Sequence, residues 1–185
     1  DAAINQIIRQ LQNQHNWTYE QAKLYLSSGG FTIYTTQNPK VQYIIDEELK
    51  KENIDRKDQD KVMEFFRNLD WKKLIEETEE INDSINEIKK ICDSKKFNVY
   101  ILTHVNSTNE MIEKIKYLRK KLPLVTVVSV PKEIPKTEVV NPSAAILIDD
   151  YSGNIREWQK KLGIGIKFVK ELEGSDYPEI THLLI

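Results

Sequence analysis

The chain has 185 residues, with 27 Lys and Arg against 29 Asp and Glu, and this near-neutral balance argues against nucleic acid as a partner because phosphate backbones bind basic surfaces. No apolar run approaches the roughly 18 residues that a membrane span requires, so no membrane contact is expected. The single cysteine, Cys92, excludes an internal disulfide framework and suits a reducing compartment, from which we expect a cytoplasmic protein.

The first elements predicted along the chain are two helices and a strand. Apolar side chains at helical spacing in 3–11 predict the first helix. Thr18 and Gln21 form the capping-box pattern that opens the second helix. A Gly-Gly pair at 29–30 ends this helix, because glycine accepts the left-handed conformation found beyond helix C-termini. The β-branched and aromatic residues of 31–36, FTIYTT, predict a strand.

A third helix and a charged junction follow. Asn38-Pro39 begins the helix, in which apolar side chains recur at helical spacing through 41–49. Nearly all residues of 50–62 are charged or polar, so we expect a boundary near 52–60. The predicted organisation is a small α+β N-terminal appendage, 1–52, and a domain, 61–185.

From residue 61 onward, long amphipathic helices alternate with short apolar strands. The apolar spacing from Leu74 to Cys92 predicts one long helix. The other predicted elements are strands at 98–103, 125–130, 144–149 and 164–169 and helices carrying the apolar residues of 111–122 and 155–162. Near-continuous apolar strands separated by helices indicate a parallel sheet that is buried on both faces. The predicted fold class is therefore α/β, with a doubly wound parallel sheet.

Reactive side chains follow three of these predicted strands. They are Thr103, His104 and Asn106 after the first strand, Lys132 and Lys136 after the second, and Asp149 and Asp150 after the third. In an open parallel sheet the ligand crevice lies at the carboxyl ends of the strands. Hydroxyls, helix-starting amides and lysines bind phosphate oxygens, and carboxylates are the hard ligands that Mg²⁺ prefers. The pattern thus predicts a site for phosphate and a divalent cation.

Each of these residues also has a purely structural interpretation. A lone threonine such as Thr103 at a strand end is more often a helix cap, and a lysine such as Lys136 is usually solvated. Asp149 and Asp150 are harder to explain in this way, because neighbouring carboxylates repel each other unless a cation is near. If all are structural, the chain is a non-catalytic binding or interaction module.

The segments NVYILTHVNSTNEMIEKIKYLRK, VPKEIPKTEVV and AILIDDYSGNIREWQKKLGIGIKF resemble the haloacid dehalogenase superfamily, and within it the 5'-nucleotidases of the 5'(3')-deoxyribonucleotidase type. The resemblance covers 61–185, about two-thirds of the chain. It implies a haloacid-dehalogenase-like sheet, Mg²⁺ as cofactor and a phosphorylated small molecule such as a nucleoside monophosphate as partner.

The resemblance also implies roles for the candidate residues. Thr103 and Lys136 are the expected catalytic residues, since the family's corresponding residues contact phosphate and stabilise the phosphoryl group. Lys132 is the second choice for the lysine. The remaining assignments are two substrate contacts, His104 and Asn106, and two magnesium ligands, Asp149 and Asp150.

The chain departs from this family at the first motif, an Asp-x-Asp at the end of the first strand. Asp58 and Asp60 have this spacing, but they lie in the polar junction with no predicted strand before them. The first aspartate of the motif would attack phosphorus and the second would act as general acid and base. Asp46 and Glu48 imitate the motif, but their helical surroundings predict a surface helix. Hydrolysis of phosphoric monoesters would therefore require another nucleophile, and binding without turnover is the other expectation.

The segment DAAINQIIRQLQNQHNWTYEQAKLYLSSGGFTIYTTQNPKVQYIIDEEL resembles the linker region of class A penicillin-binding proteins, most clearly in the pattern at 29–36. The motifs of the transpeptidase are absent, so the resemblance implies no catalytic residue. Two partial resemblances joined at a charged junction are typical of a chimera. A fragment of a protein of peptidoglycan synthesis is a further alternative.

The placement of the predicted strand 31–36 decides how complete the sheet is. If it pairs beside the strand 98–103, it replaces the strand that would carry the first motif. If it stands apart, an exposed apolar edge would favour self-association, so a homo-oligomer is an alternative.

Overall fold

The computed structural model describes residues 2–28, 30–35, 45, 47–55 and 57–183. Helix α1 spans Ala2–His15 and helix α2 spans Tyr19–Ser27. The predicted capping box of α2 is confirmed, since Thr18 and Gln21 bond to each other's backbone amides. The helix predicted from Asn38-Pro39 begins outside the described residues, and residues 45 and 47–51 are helical.

The remaining elements alternate along the chain. The helices are α3 (Gln59–Asn68), α4 (Trp71–Glu77), α5 (Ser84–Asp93), α6 (Thr108–Lys121), α7 (Lys136–Val139) and α8 (Ser152–Lys160). The strands are β1 (Thr32–Thr35), β2 (Asn98–Val105), β3 (Thr126–Pro131), β4 (Ala145–Asp149), β5 (Ile164–Phe168) and β6 (Glu179–Ile180). Helices α3 and α7 and strand β6 were not expected from the sequence. None of the helices in the described ranges is long and apolar enough to span a bilayer.

The single helix predicted from Leu74 to Cys92 is wrong, because the chain breaks between α4 and α5. Helix α4 ends where Thr78 adopts an extended conformation. Asn82 and Asp83 then take left-handed backbone conformations, with φ of 49° and 57°. Asparagine and aspartate are the non-glycine residues that most readily adopt this conformation. The apolar periodicity therefore continues across two helices that the backbone separates.

The strands form one parallel sheet in the order β3-β2-β1-β4-β5-β6. This confirms the predicted α/β class with a parallel sheet flanked by helices, an arrangement consistent with a doubly wound fold. Strand β1 pairs on one side with β2 and on the other with β4. In the register of the sheet, Thr35 therefore lies beside Ile101 on one side and Ile148 on the other. The sheet thus takes strands from both sides of the boundary expected near 52–60.

The sheet is buried on both faces. On one face, Ile33 of β1 lies in a cluster with residues of α1, α5 and α6, and on the other, Tyr34 packs with Ile155 and Trp158 of α8. Successive residues of a strand point to opposite faces, which is why neighbours in β1 join different clusters. The apolar clusters on the two faces hold the strands in place, and the candidate site lies at the carboxyl ends of these strands.

Candidate functional site

Three candidate residues are buried polar groups in a chain whose buried residues are otherwise mostly apolar. Thr103, Lys136 and Asp149 are only 3%, 4% and 1% exposed. Thr103 lies in the last part of β2, Asp149 ends β4, and Lys136 begins α7 directly after Pro135. All three therefore lie at the carboxyl-end edge of the sheet, as the sequence predicts.

A buried ion pair joins two of these side chains. Lys136 Nζ lies 2.8 Å from Asp149 Oδ2, to which it donates a hydrogen bond. The same oxygen accepts a hydrogen bond of 2.8 Å from Asn154 Nδ2, and Oδ1 accepts one of 2.9 Å from the backbone N–H of Tyr151. Burial lowers the pKa of Lys136, while the carboxylate of Asp149 opposes this effect. Asp149 is thus held from three directions in a fixed orientation.

The neighbouring Asp150 has an unusual protonation equilibrium. Burial, followed by the negative charge of Asp149, raises the pKa of Asp150 to about 6. Two adjacent carboxylates repel each other, so Asp150 ionises at a higher pH than an isolated aspartate does. The acidic pair predicted from the sequence is therefore a pair of interacting carboxylates.

The donor chemistry of this pair fits Mg²⁺. Each carboxylate oxygen has two lone pairs, so Asp149 keeps acceptor capacity beyond its three hydrogen bonds. Mg²⁺ commonly takes one or two protein carboxylates and completes its shell with water and phosphate oxygens. Within the described ranges, no group of three His, Cys, Asp or Glu side chains is placed to hold a metal ion. Asp149 and Asp150 therefore offer two carboxylates, and two is within the number that Mg²⁺ commonly takes from a protein.

His104 lies at the same edge, on the sheet face opposite to Thr103. Its Nε2 is 3.0 Å from the carbonyl oxygen of Ile134. Burial lowers the pKa of His104, and the nearby charge of Lys136 lowers it further. The ordinary pKa of histidine is already below 7, so the imidazole of His104 is mainly neutral at pH 7. Since a carbonyl oxygen can only accept, the Nε2–H group donates the hydrogen bond to Ile134. His104 therefore offers Nδ1 as an acceptor.

Thr103 and Asn106 make their hydrogen bonds within the segment that leads into α6. Thr103 Oγ1 donates to the carbonyl oxygen of His104 at 3.3 Å. The backbone N–H and Nδ2 of Asn106 both donate to Glu110 Oε2, at 2.6 and 3.0 Å. The cap of α6 is Ser107, whose hydroxyl accepts from the backbone N–H of Glu110. Neither Thr103 nor Asn106 contacts the Lys136–Asp149 pair through the hydrogen bonds of the described residues.

A second buried ion pair lies at this edge and was not predicted. Lys114 Nζ contacts Glu110 Oε1 and donates to the carbonyl oxygen of His104 at 3.1 Å. Glu110 is 2% exposed and Lys114 is 8% exposed. Charged residues at this spacing on a helix usually form an exposed pair, so the sequence carries no signal of their burial. The pair fixes the carboxyl end of β2 through the carbonyl of His104.

Lys132, the second choice for the site lysine, lies apart from the ion pair. Its side chain is exposed, and its Nζ lies 5.8 Å from the centre of the Tyr151 ring. Lys136 is therefore the lysine that contacts Asp149. Comparison of the chain with known proteins adds no assignment, since no protein-family model and no curated protein matches it.

Proposed function

We propose that the carboxyl-end crevice of the sheet binds phosphate monoesters, such as nucleoside monophosphates, together with Mg²⁺. The observation that carries the proposal is the buried ion pair between Lys136 and Asp149, at 2.8 Å. Burying charged groups is costly, and proteins concentrate buried titratable groups at functional sites. The resemblance of 61–185 to haloacid dehalogenase-type nucleotidases supports the same assignment.

The position of this pair in the sheet supports the proposal. Strand order reverses between β1 and β4, because β2 and β3 lie on one side of β1 and β4 lies on the other. Ligands of open parallel sheets bind outside the carboxyl ends of the strands at such a point. Asp149 ends β4 at this place, so a phosphate there would lie within reach of the Lys136 ammonium.

Each residue would have a distinct part in binding. Lys136 would offset the charge of the phosphoryl oxygens, and Asn154 and the Tyr151 amide orient Asp149. Asp149 and Asp150 would hold Mg²⁺, which when bound supplies further positive charge to the phosphate. Thr103 as a phosphate contact and His104 and Asn106 as substrate contacts remain predictions from the resemblance.

We expect binding with little or no turnover. The sequence directly after β1 reads Thr36-Gln37-Asn38, without a carboxylate that could attack phosphorus. Removing a nucleophile that acts as a unit with its partners typically lowers the rate by orders of magnitude. The proposed role is therefore that of a phosphate-ester receptor built on a phosphatase-like sheet.

Calorimetric titration with deoxynucleoside monophosphates in the presence and absence of Mg²⁺ tests the proposal. We expect Mg²⁺-dependent binding that Asp149→Asn and Lys136→Met each weaken by about tenfold or more, the cost of losing a charge-assisted contact. Lys160→Met is the matched control, because Lys160 forms an exposed pair with Glu157. Circular dichroism shows whether each variant is folded.

Two results would contradict the proposal. The first is the absence of binding heat from both Mg²⁺ and monophosphate, which would favour the non-catalytic interaction module. The second is binding that Asp149→Asn leaves unchanged, which would place the ligand elsewhere. A phosphatase assay accompanies the titration, and turnover abolished by Asp149→Asn would show that another group serves as nucleophile.

A further inference from the structure

A surface pocket of about 300 Å³ lies beside the Lys136–Asp149 pair. Its walls include His104 from the end of β2 and Asn154 from α8. Asn154 also donates its side-chain hydrogen bond to Asp149. The pocket and the proposed phosphate site therefore share Asn154 as a wall.

Tyr151 lines this pocket and is 63% exposed. The backbone N–H of the same residue donates to Asp149 Oδ1 at 2.9 Å. The main chain of Tyr151 thus contacts the carboxylate of Asp149, and its side chain lines the pocket. The hydrogen bond to Asp149 fixes the backbone from which the ring extends.

Gly153 leaves room for the ring of Tyr151. A β-carbon at Gly153 would come within 2.3 Å of Tyr151 Cε1 and 2.8 Å of Cζ. Such distances are far below van der Waals contact, so the ring occupies the space that only glycine leaves open. The absence of a side chain at Gly153 therefore allows the ring to lie against the start of α8.

The charged side chains of the pocket balance each other. Lys132 and Arg156 oppose Glu133 and Glu157 along its walls. A pocket without net charge gains little selectivity from electrostatic attraction. Its specific feature is the exposed aromatic ring of Tyr151. The Nζ atom of the exposed Lys132 lies 5.8 Å from the centre of this ring.

We propose that Tyr151 is a specificity-determining residue whose ring stacks on a planar group of the phosphate ester, so that the site selects ring-bearing monophosphates over aliphatic ones. This inference rests on the proposed function. Stacking of a base on an aromatic side chain typically changes affinity by roughly tenfold or more. Lys132 moves aside so that the planar group can reach the face of the ring.

The test compares three probes in the presence of Mg²⁺: a nucleoside monophosphate, glycerol phosphate and inorganic phosphate. For the wild-type chain we expect roughly tenfold tighter binding of the nucleoside monophosphate than of glycerol phosphate. Tyr151→Ala should abolish this preference while changing the affinity for inorganic phosphate less than about twofold. Tyr151→Phe, which keeps the ring, should retain the preference.

Tyr19 supplies the matched control. It is another exposed tyrosine with a lysine near its ring, since Lys23 Nζ lies 6.0 Å from its centre. Tyr19→Ala should leave all three affinities unchanged. Gly153→Ala is an independent variant that keeps Tyr151 but displaces its ring, and it should reduce the preference without weakening phosphate binding.

The outcomes separate the two proposals. Equal affinities of the wild-type chain for the nucleoside monophosphate and glycerol phosphate, or a preference that survives in Tyr151→Ala, would overturn the role of Tyr151 and leave phosphate binding intact. Failure of the wild-type chain to bind any of the three probes would overturn the proposed function and this inference with it.

Discussion

At the scale of single residues, the Lys136–Asp149 pair is a buried ion pair at the carboxyl ends of the strands, where burying the two charges costs free energy. Both side chains are removed from water, so each depends on the other for its charge. Asn154 and the backbone N–H of Tyr151 also donate hydrogen bonds to Asp149, which partly replace the water that its carboxylate has lost. The pair is therefore expected to matter for stability whether or not a ligand is present.

Lys136→Met should destabilise the folded chain by about 3–5 kcal/mol, because it leaves the charge of Asp149 buried without its cation. Urea unfolding followed by circular dichroism measures the change in the free energy of unfolding. Lys160→Met, which breaks an exposed ion pair, should cost less than about 1 kcal/mol. Equal effects of the two substitutions would show that the Lys136–Asp149 pair contributes no more than a surface contact.

At the scale of elements, helix α1 protects an edge of the sheet. Strand β6 pairs with β5 at Lys167 and Phe168, and within the described ranges no strand pairs with the earlier part of β5 on that side. Gln10 Nε2 and Gln14 Nε2 donate to the carbonyl oxygens of Gly165 and Gly163, at 3.1 and 3.2 Å. Unpaired strand edges promote association between chains, and these side chains cover this one.

Replacing both glutamines with leucine should destabilise the chain by about 1–3 kcal/mol, since the two hydrogen bonds to the carbonyls of Gly163 and Gly165 are lost. The loss of stability is limited because the substitutions also remove two buried Oε1 atoms that have no hydrogen-bond partner within the described ranges. Thermal unfolding measures the stability, and light scattering measures association through the uncovered edge. Gln6→Leu, at an exposed position of the same helix, is the control and should change neither.

The loop before β6 is held by a carboxylate. Glu179 accepts hydrogen bonds from the backbone N–H groups of Glu173, Gly174 and Ser175, each at 2.9 Å. The hydrogen bonds from Ser175 and its neighbours lower the pKa of Glu179 to about 2. The ordinary pKa of this group is 4.5, so the ionised form is favoured by folding.

Glu179 should therefore stabilise the fold above about pH 4.5, and this contribution should be lost as the pH falls through about 2. Glu179→Gln should unfold at a lower temperature than wild type at pH 7, and the difference between the two should shrink as the pH approaches 2. Thermal unfolding across this range gives the comparison. A difference that stays constant with pH would show that the ionised carboxylate does not hold the loop.

The sequence predicts most of the sheet but only part of the site. Strands at 98–103 and 144–149 are recognisable because parallel strands that are buried on both faces are continuously apolar. Lys136 is predicted as a site residue, yet its contact with Asp149 depends on α7, a short helix without a sequence signal. The burial of Glu110 and Lys114 depends on how α6 packs, and no local pattern reports it.

At the scale of the whole molecule, the N-terminal segment supplies the centre of the sheet. Each residue of β1, Thr32–Thr35, pairs with residues of both β2 and β4. Ile33 and Tyr34 enter the apolar clusters on opposite faces. Without β1, the strands that carry Thr103 and Asp149 would have no common neighbour, and both clusters would lose central side chains.

A chain containing only residues 61–185 should therefore not fold cooperatively, although it includes every candidate site residue. We expect its near-ultraviolet circular dichroism and dispersed amide signals to be lost, while the full chain shows both. Adding a separate peptide of residues 1–52 should restore part of the signal if pairing of β1 completes the sheet. Cooperative unfolding of 61–185 alone, with the stability of the full chain, would show that the site is built on a unit that does not need the central strand.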